Sequence, residues 1–479
     1  MVLAGNGLIM GKKTKKRMKN EKNLRYMFHV VPGDISDERL LKDVSRNTHR
    51  KKKVQIDAIV NAAKPTLMGS GQGVDGAIHS KIDAFFGEKG EFNKRICEEL
   101  GQQSGENGSR VRCQRGQAVI TKGYNLSKYI IHVVGSLYDG QYGWKKHLFS
   151  CSSSRIRTLE SCYREIIRTA RAHPDIKNIA VPIIGAGEYG FPFEMAVKIA
   201  VTALGNALLE WKREDREYFD DRKEGLQNIF LFVWDNSPDE AVIDEKVKTV
   251  KKVLRKYRKI FGQGRQAVPH NSFQAQQQYF FEIFRYDKDR GYFCIAWLIR
   301  LILAVLRFLS GYTYLKDIFG GKNWQRRRMW VEITVVLKIV TASLIGFYLF
   351  RGGNFGNVIR FLLYYNLIDT VTYLISLILM ADIQKPSANV IRSMLLLLLN
   401  YVEVSLEMSC LYFQQYKADH MTFLQALGPG FIGEMPDGFA IESFADHMLH
   451  FGNTALKFFF ITMAFGYFAG HLRQRTFRR

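Results

Sequence analysis

Residues 25–262 alternate between short apolar runs and amphipathic stretches, which is typical of an α/β protein. Two apolar runs, at 59–60 and 179–184, lead into glycine-rich loops. The loop glycines are Gly69, Gly71 and Gly73 after the first run, and Gly185, Gly187 and Gly190 after the second. Glycines at this density let backbone N–H groups turn toward one anion. We therefore predict two strand–loop units that face one phosphate-binding cleft, although each loop alone could also be a surface turn.

From about residue 291 the pattern changes to long apolar segments. Four of them are of membrane-spanning length, and we place spans near 329–350, 358–381, 390–413 and 453–471. Charged residues lie within or at the edges of these spans: Glu332, Lys338, Arg360, Asp369, Glu403, Glu407 and Lys457. A soluble domain with buried helices is the alternative. We favour an all-α transmembrane bundle at 291–479, because short polar loops separate most of the segments. Inside it, Glu403 and Glu407 indicate either a watery cavity or a cationic partner such as Lys338 or Lys457.

The segment 291–314 is also apolar, but Arg300 and Arg307 stand seven residues apart on one helical face. Basic clusters follow this segment, separate two proposed spans and end the chain: Lys316, Lys322 and Arg326 to Arg328; Lys385 and Arg392; Arg473, Arg475, Arg478 and Arg479. With four spans all three clusters lie on one side, which the positive-inside tendency makes cytoplasmic. We therefore predict an interfacial helix at 291–314 with its arginines at the headgroups, in a plasma (inner) membrane. A fifth span is the alternative.

Composition and charge indicate the partners of the protein and the segments between its two halves. The 479 residues carry a formal net charge of +24, which favours an anionic membrane surface over nucleic acid, since the basic tail at 1–24 lacks interleaved aromatic residues. An apolar stripe from Val247 to Phe261 predicts a helix whose basic face lies toward lipid. Residues 263–290 are predicted to be a linker. Six cysteines without metal-binding spacing indicate buried or free thiols in a reducing compartment, and neither a metal nor a cofactor is predicted.

The motifs of the first half, in their order, resemble those of the macrodomain, the ADP-ribose-binding module. They are VPGDIS at 31–36, IVNAA with GVDGAIH at 59–79, GQAVITKGYNLSKYIIHVVG at 116–135, GAGEYGFP at 185–192 and IFLFVWD at 229–235. The resemblance implies a three-layer α/β fold over 25–262, with a mixed sheet flanked by helices. It also implies ADP-ribose or a derivative as the ligand.

The resemblance implies a role for each site residue. Asp34 would accept a hydrogen bond from the adenine amino group, Trp234 would stack on the adenine, and Asn61 and Phe191 would lie near the distal ribose. The implied ligand-binding residues are Asp34, Ile35, Asn61, Gly71, Gly73, Val74, Asp75, Gly185, Ala186, Gly187, Glu188, Tyr189, Gly190, Phe191 and Trp234. As alternatives, Trp234 could be an ordinary aromatic at a sheet end and Asp34 a turn residue.

One departure from the family pattern bears on catalysis. Macrodomains that hydrolyse ADP-ribosyl links usually carry a second Asn after NAA, whereas this chain has Lys64. Asp75 and His79 resemble the remaining hydrolase residues, so a hydrolase would use Asp75, His79 and Lys64. A lysine there could act as a nucleophile or, in the reading we favour, contact a phosphate. Lys64 therefore weakens the prediction of hydrolysis.

Two function classes follow. The first, which we favour, is a membrane effector, a homo-oligomer whose cytoplasmic macrodomain senses ADP-ribose or a derived nucleotide and alters membrane permeability. The second is a membrane-anchored ADP-ribosyl hydrolase. The segment at 443–454 before the last span weakly resembles the pore region of potassium-channel-like proteins, but the chain has no TVGYG filter sequence.

Overall fold

The computed structural model describes residues 24–45, 53–101, 111–138, 153–215, 225–235, 239–353, 355–384 and 390–475. The chain divides into two compact units. The first comprises Met1–Asn271 with Lys322–Trp324, and we call it the α/β unit. The second comprises Ser272–Gly321 with Gln325–Arg479, and we call it the helical unit.

The α/β unit is built on a six-stranded sheet in the order β1-β6-β5-β2-β4-β3. The strands are β1 (Phe28–Pro32), β2 (Ala58–Ala62), β3 (Ala118–Lys122), β4 (Tyr129–Val133), β5 (Asn178–Pro182) and β6 (Asn228–Val233). Neighbouring strands are parallel except for β3, which pairs antiparallel with β4. The carboxyl ends of β1, β6, β5 and β2 therefore meet at one edge of the sheet.

Helices cover both faces of this sheet. They are α1 (Glu38–Lys42), α2 (Gly73–Phe86), α3 (Glu91–Leu100), α4 (Ser153–Ala172), α5 (Phe193–Glu214) and α6 (Glu240–Gly262). One core packs the sheet against α4, α5 and α6, and a second core packs the opposite face against α1, α2 and α3. Strand β2 begins with an apolar run because both of its faces are buried: Val60 lies in the first core and Ile59 in the second. The predicted three-layer α/β fold is confirmed.

The α/β unit extends past the boundary predicted at residue 262. Ala267 is buried in the first core, and its backbone exchanges two hydrogen bonds of 2.8 Å with the Asn206 side chain. Tyr257 donates a further hydrogen bond of 3.1 Å to the Val268 carbonyl. Residues 263–271 are therefore part of the folded unit. The rest of the predicted linker is not irregular either, since it contains a helix at Ser272–Tyr286.

The helical unit is all-α in its described part, as predicted. Its helices are α7 (Ser272–Tyr286), α8 (Cys294–Leu309), α9 (Tyr312–Gly320), α10 (Trp324–Phe350), α11 (Asn357–Leu379), α12 (Val390–Gln415), α13 (Phe423–Phe431) and α14 (Phe444–Arg475). Among the described residues, α10, α11 and α12 are long and apolar enough to cross a membrane. The pair α8 and α9, bent by 48°, would make a fourth crossing if it is one span.

Polarity in the helical unit is inverted relative to a water-soluble bundle. Large apolar side chains lie on the outside, for example Leu344 (63% exposed) and Phe361 (66%). Charged side chains lie inside, including Lys338 (5%), Glu403 (0%) and Glu407 (0%). This arrangement matches an apolar solvent around the helices and supports membrane association.

The structure corrects the prediction that Arg300 and Arg307 lie at lipid headgroups. Arg300 is buried between Asp287 and Asp382, with hydrogen bonds of 2.7 and 2.9 Å to their carboxylates. Arg307, also buried, donates to Ser376 at 3.2 Å. The prediction was wrong because these partners stand 13 to 82 residues away in the sequence. The predicted helix at 291–314 is also interrupted, since α8 ends at Leu309 and α9 begins at Tyr312.

Two further predictions concern the last segment. The predicted span at 453–471 falls within α14, and the side chains of its second half lie outside the described residues. The segment at 443–454, which resembles a re-entrant segment in sequence, forms the beginning of that same helix from Phe444 onward. The described fold therefore offers no support for a potassium-channel-like pore. Residues 1–23 of the basic tail predicted at 1–24 lie outside the described residues.

Candidate functional site

A cleft of about 510 Å³ opens at the carboxyl edge of the sheet. Its walls come from the ends of β1, β2, β5 and β6 and from the loops that follow them. The lining residues are Gly33, Asp34, Ile35, Ala62, Ala63, Lys64, Ser70, Gln72, Gly73, Val74, Asp75, Ala77, Pro182, Ile183, Ile184, Gly185, Ala186, Gly187, Glu188, Tyr189, Phe193, Phe232, Val233, Trp234, Asp235 and Lys246. The topology thus brings both glycine loops to one cleft, as their sequence patterns indicate.

The first glycine loop connects β2 to α2. Gly69, Gly71 and Gly73 all have positive φ angles, of 76°, 73° and 59°. A side chain at Gly76, in the first turn of α2, would place its Cβ 2.5 Å from the Gly71 carbonyl carbon. The loop therefore folds tightly over the beginning of α2 and leaves the N-terminus of that helix at the cleft, where an anion is stabilised.

The second glycine loop connects β5 to α5. Gly185 has a φ of 85°, and its carbonyl accepts a hydrogen bond of 2.9 Å from the Phe191 backbone. The Phe191 ring packs beneath Gly185, only 3.0 Å from where a Cβ would lie, and is 2% exposed. Phe191 therefore shapes the loop from below and does not line the cleft.

One end of the cleft carries an acidic turn and an indole ring. Asp34 follows β1, and its Oδ1 accepts hydrogen bonds from the Ser36 backbone and hydroxyl, of 2.8 and 2.9 Å. Trp234 follows β6 and is 51% exposed. The two residues are neighbours because β1 and β6 are paired in parallel and the Gly33 backbone donates to the Val233 carbonyl at 3.1 Å.

A row of buried polar side chains lies beneath the cleft. The Asn61 amide donates to Asp75 Oδ1 at 2.7 Å and to His132 Nδ1 at 3.2 Å. Since that nitrogen of His132 accepts, Nε2 carries the hydrogen and donates to Thr121 Oγ1 at 2.9 Å. His79 Nε2 lies 3.4 Å from the same Asp75 oxygen. Asp75 is thus held from two sides at the first turn of α2.

Burial and contacts set the protonation states of Asp75 and His132 in this row of side chains. Burial alone would raise the pKa of Asp75, but the His79 ring and the hydrogen bond from Asn61 outweigh it and hold the pKa below its usual range. Burial lowers the pKa of His132 to about 3, and repulsion from His79 adds to the effect. At neutral pH Asp75 is therefore ionised and His132 is neutral.

Most of the predicted site residues meet at the cleft. Those that line it are Asp34, Ile35, Lys64, Gly73, Val74, Asp75, Gly185, Ala186, Gly187, Glu188, Tyr189 and Trp234. Those that do not are Asn61, Gly71, His79, Gly190 and Phe191. Asn61 and His79 are buried behind Asp75, while Gly71, Gly190 and Phe191 support the loop backbones.

Sequence patterns missed several lining residues. Lys246 reaches the cleft from α6, forms an ion pair with Asp235, and lies 5.2 Å from the centre of the Phe193 ring. Asp235 and Phe193 adjoin predicted elements and could have been found from their positions. Nothing in the sequence marks Lys246 among its neighbouring lysines, because only the packing of α6 brings it to the cleft.

Comparison with known proteins agrees with this geometry. The family model for the "Macro domain" matches residues 60–200. An O-acetyl-ADP-ribose deacetylase from Enterobacter sp. (strain 638) is 36% identical over 197 residues, covering 41% of this chain and 87% of the relative. The chain belongs to the macro domain family.

Other relatives match a similar share of this macro domain protein. An uncharacterised protein from Thermoplasma volcanium is 37% identical over 183 residues, 38% of this chain and 77% of its own. A macro domain-containing protein from Methanosarcina mazei is 42% identical over 151 residues, 31% of this chain and 65% of its own. The Trypanosoma brucei macrodomain solved with ADP is 23% identical, covers 49% of this chain and 71% of that one, and has a TM-score of 0.31.

Proposed function

We propose that the macrodomain cleft binds ADP-ribose or a derivative of it, and that the chain uses this binding to alter a membrane through its helical unit. The observation that carries the binding proposal is the arrangement of the cleft: a half-exposed Trp234 and the Asp34 turn at one end, with two glycine loops facing each other beyond them. The name of the Enterobacter relative also supports an ADP-ribose-type ligand.

Each part of the cleft suits one part of such a ligand. An adenine ring would stack on the exposed indole of Trp234. The Ser36 hydrogen bonds hold Oδ1 of Asp34, so that Oδ2 remains to accept from the adenine amino group. A pyrophosphate would take the backbone N–H groups of the glycine loops and the N-terminus of α2. The distal ribose would then lie near Lys64 and Asp75.

The helical unit supports a role beyond anchoring. A single apolar helix is enough to hold a protein in a membrane, whereas the described part of this unit has three candidate spans and buries charged residues among them. Buried charges destabilise a bundle that serves only as an anchor. We therefore rank the effector above the anchored hydrolase.

Calorimetry on residues 24–271 tests the binding proposal. The fragment should end at 271 and not at 262, because Ala267 belongs to the core. We expect saturable binding of ADP-ribose, with adenosine monophosphate as a weaker ligand that lacks the distal half. A folded fragment that binds neither ADP-ribose nor its acetylated or phosphorylated derivatives would refute the proposal.

Hydrolysis of an ADP-ribosyl ester is a second candidate, and the position of Asp75 favours it. Its carboxylate is ionised, lines the cleft and is held by Asn61, while Oδ2 has no hydrogen-bond partner among the described residues. Such an oxygen could orient or deprotonate a water molecule. The relative from Enterobacter is named as an O-acetyl-ADP-ribose deacetylase.

We predict slow turnover of O-acetyl-ADP-ribose, because Lys64 stands in the cleft where the family's hydrolases carry an amide. Lys64→Asn should raise the rate of acetate release, and Asp75→Ala should remove whatever activity is present. Product release measured on the wild-type fragment and the two variants decides this. Efficient wild-type turnover that Asp75→Ala abolishes would place the hydrolase above the effector.

A further inference from the structure

The helical unit encloses a cluster of charged side chains that the proposed function does not use. Lys338 on α10, Asp369 on α11, and Glu403 and Glu407 on α12 face one another in its interior. Both glutamates are 0% exposed, and the Lys338 and Asp369 side chains are 6% and 13% exposed. Glu403 and Glu407 lie one turn apart on the same face of their helix.

Lys338 and Thr370 donate the hydrogen bonds within this cluster. Lys338 Nζ donates to Asp369 Oδ2 at 2.6 Å and to Thr370 Oγ1 at 2.8 Å. The Thr370 hydroxyl then donates to Glu403 Oε1 at 2.6 Å. Lys338 Nζ is 3.6 Å from that Glu403 oxygen, which is an ion pair but too long for a hydrogen bond. The ammonium is therefore engaged chiefly with Asp369, and Glu403 depends on a hydroxyl.

Glu407 is less well paired than Glu403. Both of its carboxylate oxygens are buried without a hydrogen-bond partner in the described part of the chain, and so is Oε2 of Glu403. The Asn366 amide nitrogen, also buried and unpartnered, is on the neighbouring helix α11. Three carboxylates thus share one ammonium. If all were ionised, the interior would hold two negative charges in excess, which a low-dielectric environment strongly disfavours.

Among the described residues, the surrounding helices bring no cation other than Lys338 to Glu407. Tyr312 on α9 donates to Asn366 Oδ1 at 2.7 Å, and its ring centre is 4.6 Å from Lys338 Nζ. Arg307 on α8 is turned to Ser376, and Lys457 on α14 donates to the Pro429 carbonyl. Helix α13 has no ionisable side chain. The charged groups that face Glu407 are Glu403, Lys338 and Asp369.

We propose that Glu403 and Glu407 form a proton-binding site inside the helical unit. A proton from solvent adds to the Glu407 carboxylate and gives a neutral carboxylic acid. Its O–H supplies the donor that the cluster lacks, and its carbonyl oxygen remains available to the Asn366 amide. One negative charge is removed, and the two acidic side chains no longer repel each other.

A proton fits this site better than a metal ion does. The Lys338 ammonium already lies 3.6 Å from Glu403 and would repel a metal cation bound there. Within the described ranges, no group of three or more His, Cys, Asp or Glu side chains is arranged to hold a metal. A proton needs only one carboxylate oxygen and one acceptor, and the pair provides both.

Proton binding at Glu407 depends on how α12 packs against α10 and α11. The protonated pair is stable only while α10 and α11 exclude water from it, so a rearrangement that admits water would release the proton. The site therefore makes the conformation of the helical unit dependent on pH, whether or not the macrodomain holds a ligand.

Infrared spectroscopy of the full-length protein in lipid vesicles tests this assignment. At about pH 8, where exposed carboxyl groups are ionised, a carboxylic acid C=O band should remain in the wild type. Glu407→Gln should remove this band and Glu403→Gln should shift its frequency. Glu434→Gln, at an exposed glutamate of the same unit, is the matched control and should leave it unchanged.

Several outcomes would overturn the proposal. A wild-type spectrum without the acid band would do so even if neither variant folds. A band that survives in both Glu407→Gln and Glu403→Gln would also overturn it, because the protonated acid would then lie elsewhere. Thermal unfolding at constant ionic strength gives an independent check, with the same midpoint expected in Na⁺, K⁺ and choline chloride. Stabilisation by one of the metal ions that Glu407→Gln abolishes would mean a metal site.

Discussion

Trp234 is half exposed at the mouth of the cleft, although a tryptophan gains much free energy from burial. A ligand ring that stacks on it would recover that free energy. We therefore predict that Trp234→Ala weakens ADP-ribose binding by about 1–3 kcal/mol, as measured by calorimetry on residues 24–271. Phe85→Ala removes an aromatic side chain that is 58% exposed but does not line the cleft, and it should leave the affinity unchanged. Equal losses in both variants would argue against adenine stacking on Trp234.

His132 sets a pH dependence of stability. Its pKa is about 3 in the folded protein, because burial disfavours the imidazolium, and about 6.5 in the unfolded chain. Between these values the unfolded state binds a proton that the folded state does not. The free energy of unfolding should therefore fall as pH is lowered below about 6.5, by up to about 1.4 kcal/mol per pH unit. The lowered pKa of Asp75 adds a loss in the same direction only below about pH 4.

Urea unfolding of the same fragment between about pH 7 and pH 4.5 measures this slope. His132→Gln should reduce the slope, whatever its effect on absolute stability, because the buried titrating group is gone. His173→Gln, at a partly exposed histidine that follows α4, serves as the control. An unchanged slope in His132→Gln would mean that other groups cause the acid sensitivity.

At the scale of elements, the packing of α5 on α6 depends on one small residue. A Cβ at Gly205 on α5 would come within 2.5 Å of Phe261 Cε2 on α6, and that ring also stacks on Phe28 and Tyr257. The close approach lets the apolar stripe of α6 close the first core. The predicted basic face of this helix is exposed at Lys248, Lys251, Arg255 and Lys256, and its predicted contact with anionic lipid stays a prediction.

We predict that Gly205→Ala destabilises the fragment by about 1–3 kcal/mol, because the added methyl group displaces the Phe261 ring. This loss should exceed the gain of up to about 1 kcal/mol that alanine brings to a helix. Gly187→Ala, where an added Cβ meets nothing within 4 Å, is the control for stability. Urea midpoints of the three proteins give the comparison, and a stabilised Gly205→Ala would show that the helices separate without cost.

At the scale of the whole molecule, a ligand can shift a membrane equilibrium only by its different affinity for the two states. If the effector proposal holds, ADP-ribose should change dye release from liposomes that contain the full-length protein. Asp34→Ala should abolish the response while the protein still floats with the vesicles, because the adenine contact is lost. If the permeability does not change with any nucleotide that the fragment binds, the effector proposal is wrong and the helices serve only as an anchor.

The sequence by itself determined the features that depend on neighbours along the chain. A buried parallel strand needs a continuous apolar run, and a tight phosphate loop needs glycines at positive φ, so β2, β5 and both loops can be recognised from local patterns. The same holds for α10, α11 and α12, whose length and apolar composition match the thickness of a bilayer. For this reason the cleft was predicted from local patterns, whereas Asp34, Asp75 and Trp234 were predicted from the resemblance to macrodomains.

Only the tertiary structure decided which polar groups meet. His132 reaches Asn61 across 71 residues, Arg300 reaches Asp382 across 82, and Lys338 reaches Asp369 across 31. Strand register and helix packing set these pairings, and no local pattern records them. From the sequence, Arg300 was therefore predicted to lie at the lipid headgroups. Lys338 and Lys457 were predicted as the possible cationic partners of Glu403 and Glu407. Packing buries Arg300 between aspartates and pairs Lys338 with Asp369 and Glu403. Within the described part of the chain no cation forms an ion pair with Glu407, because side chains distant in sequence compete for the same buried partners.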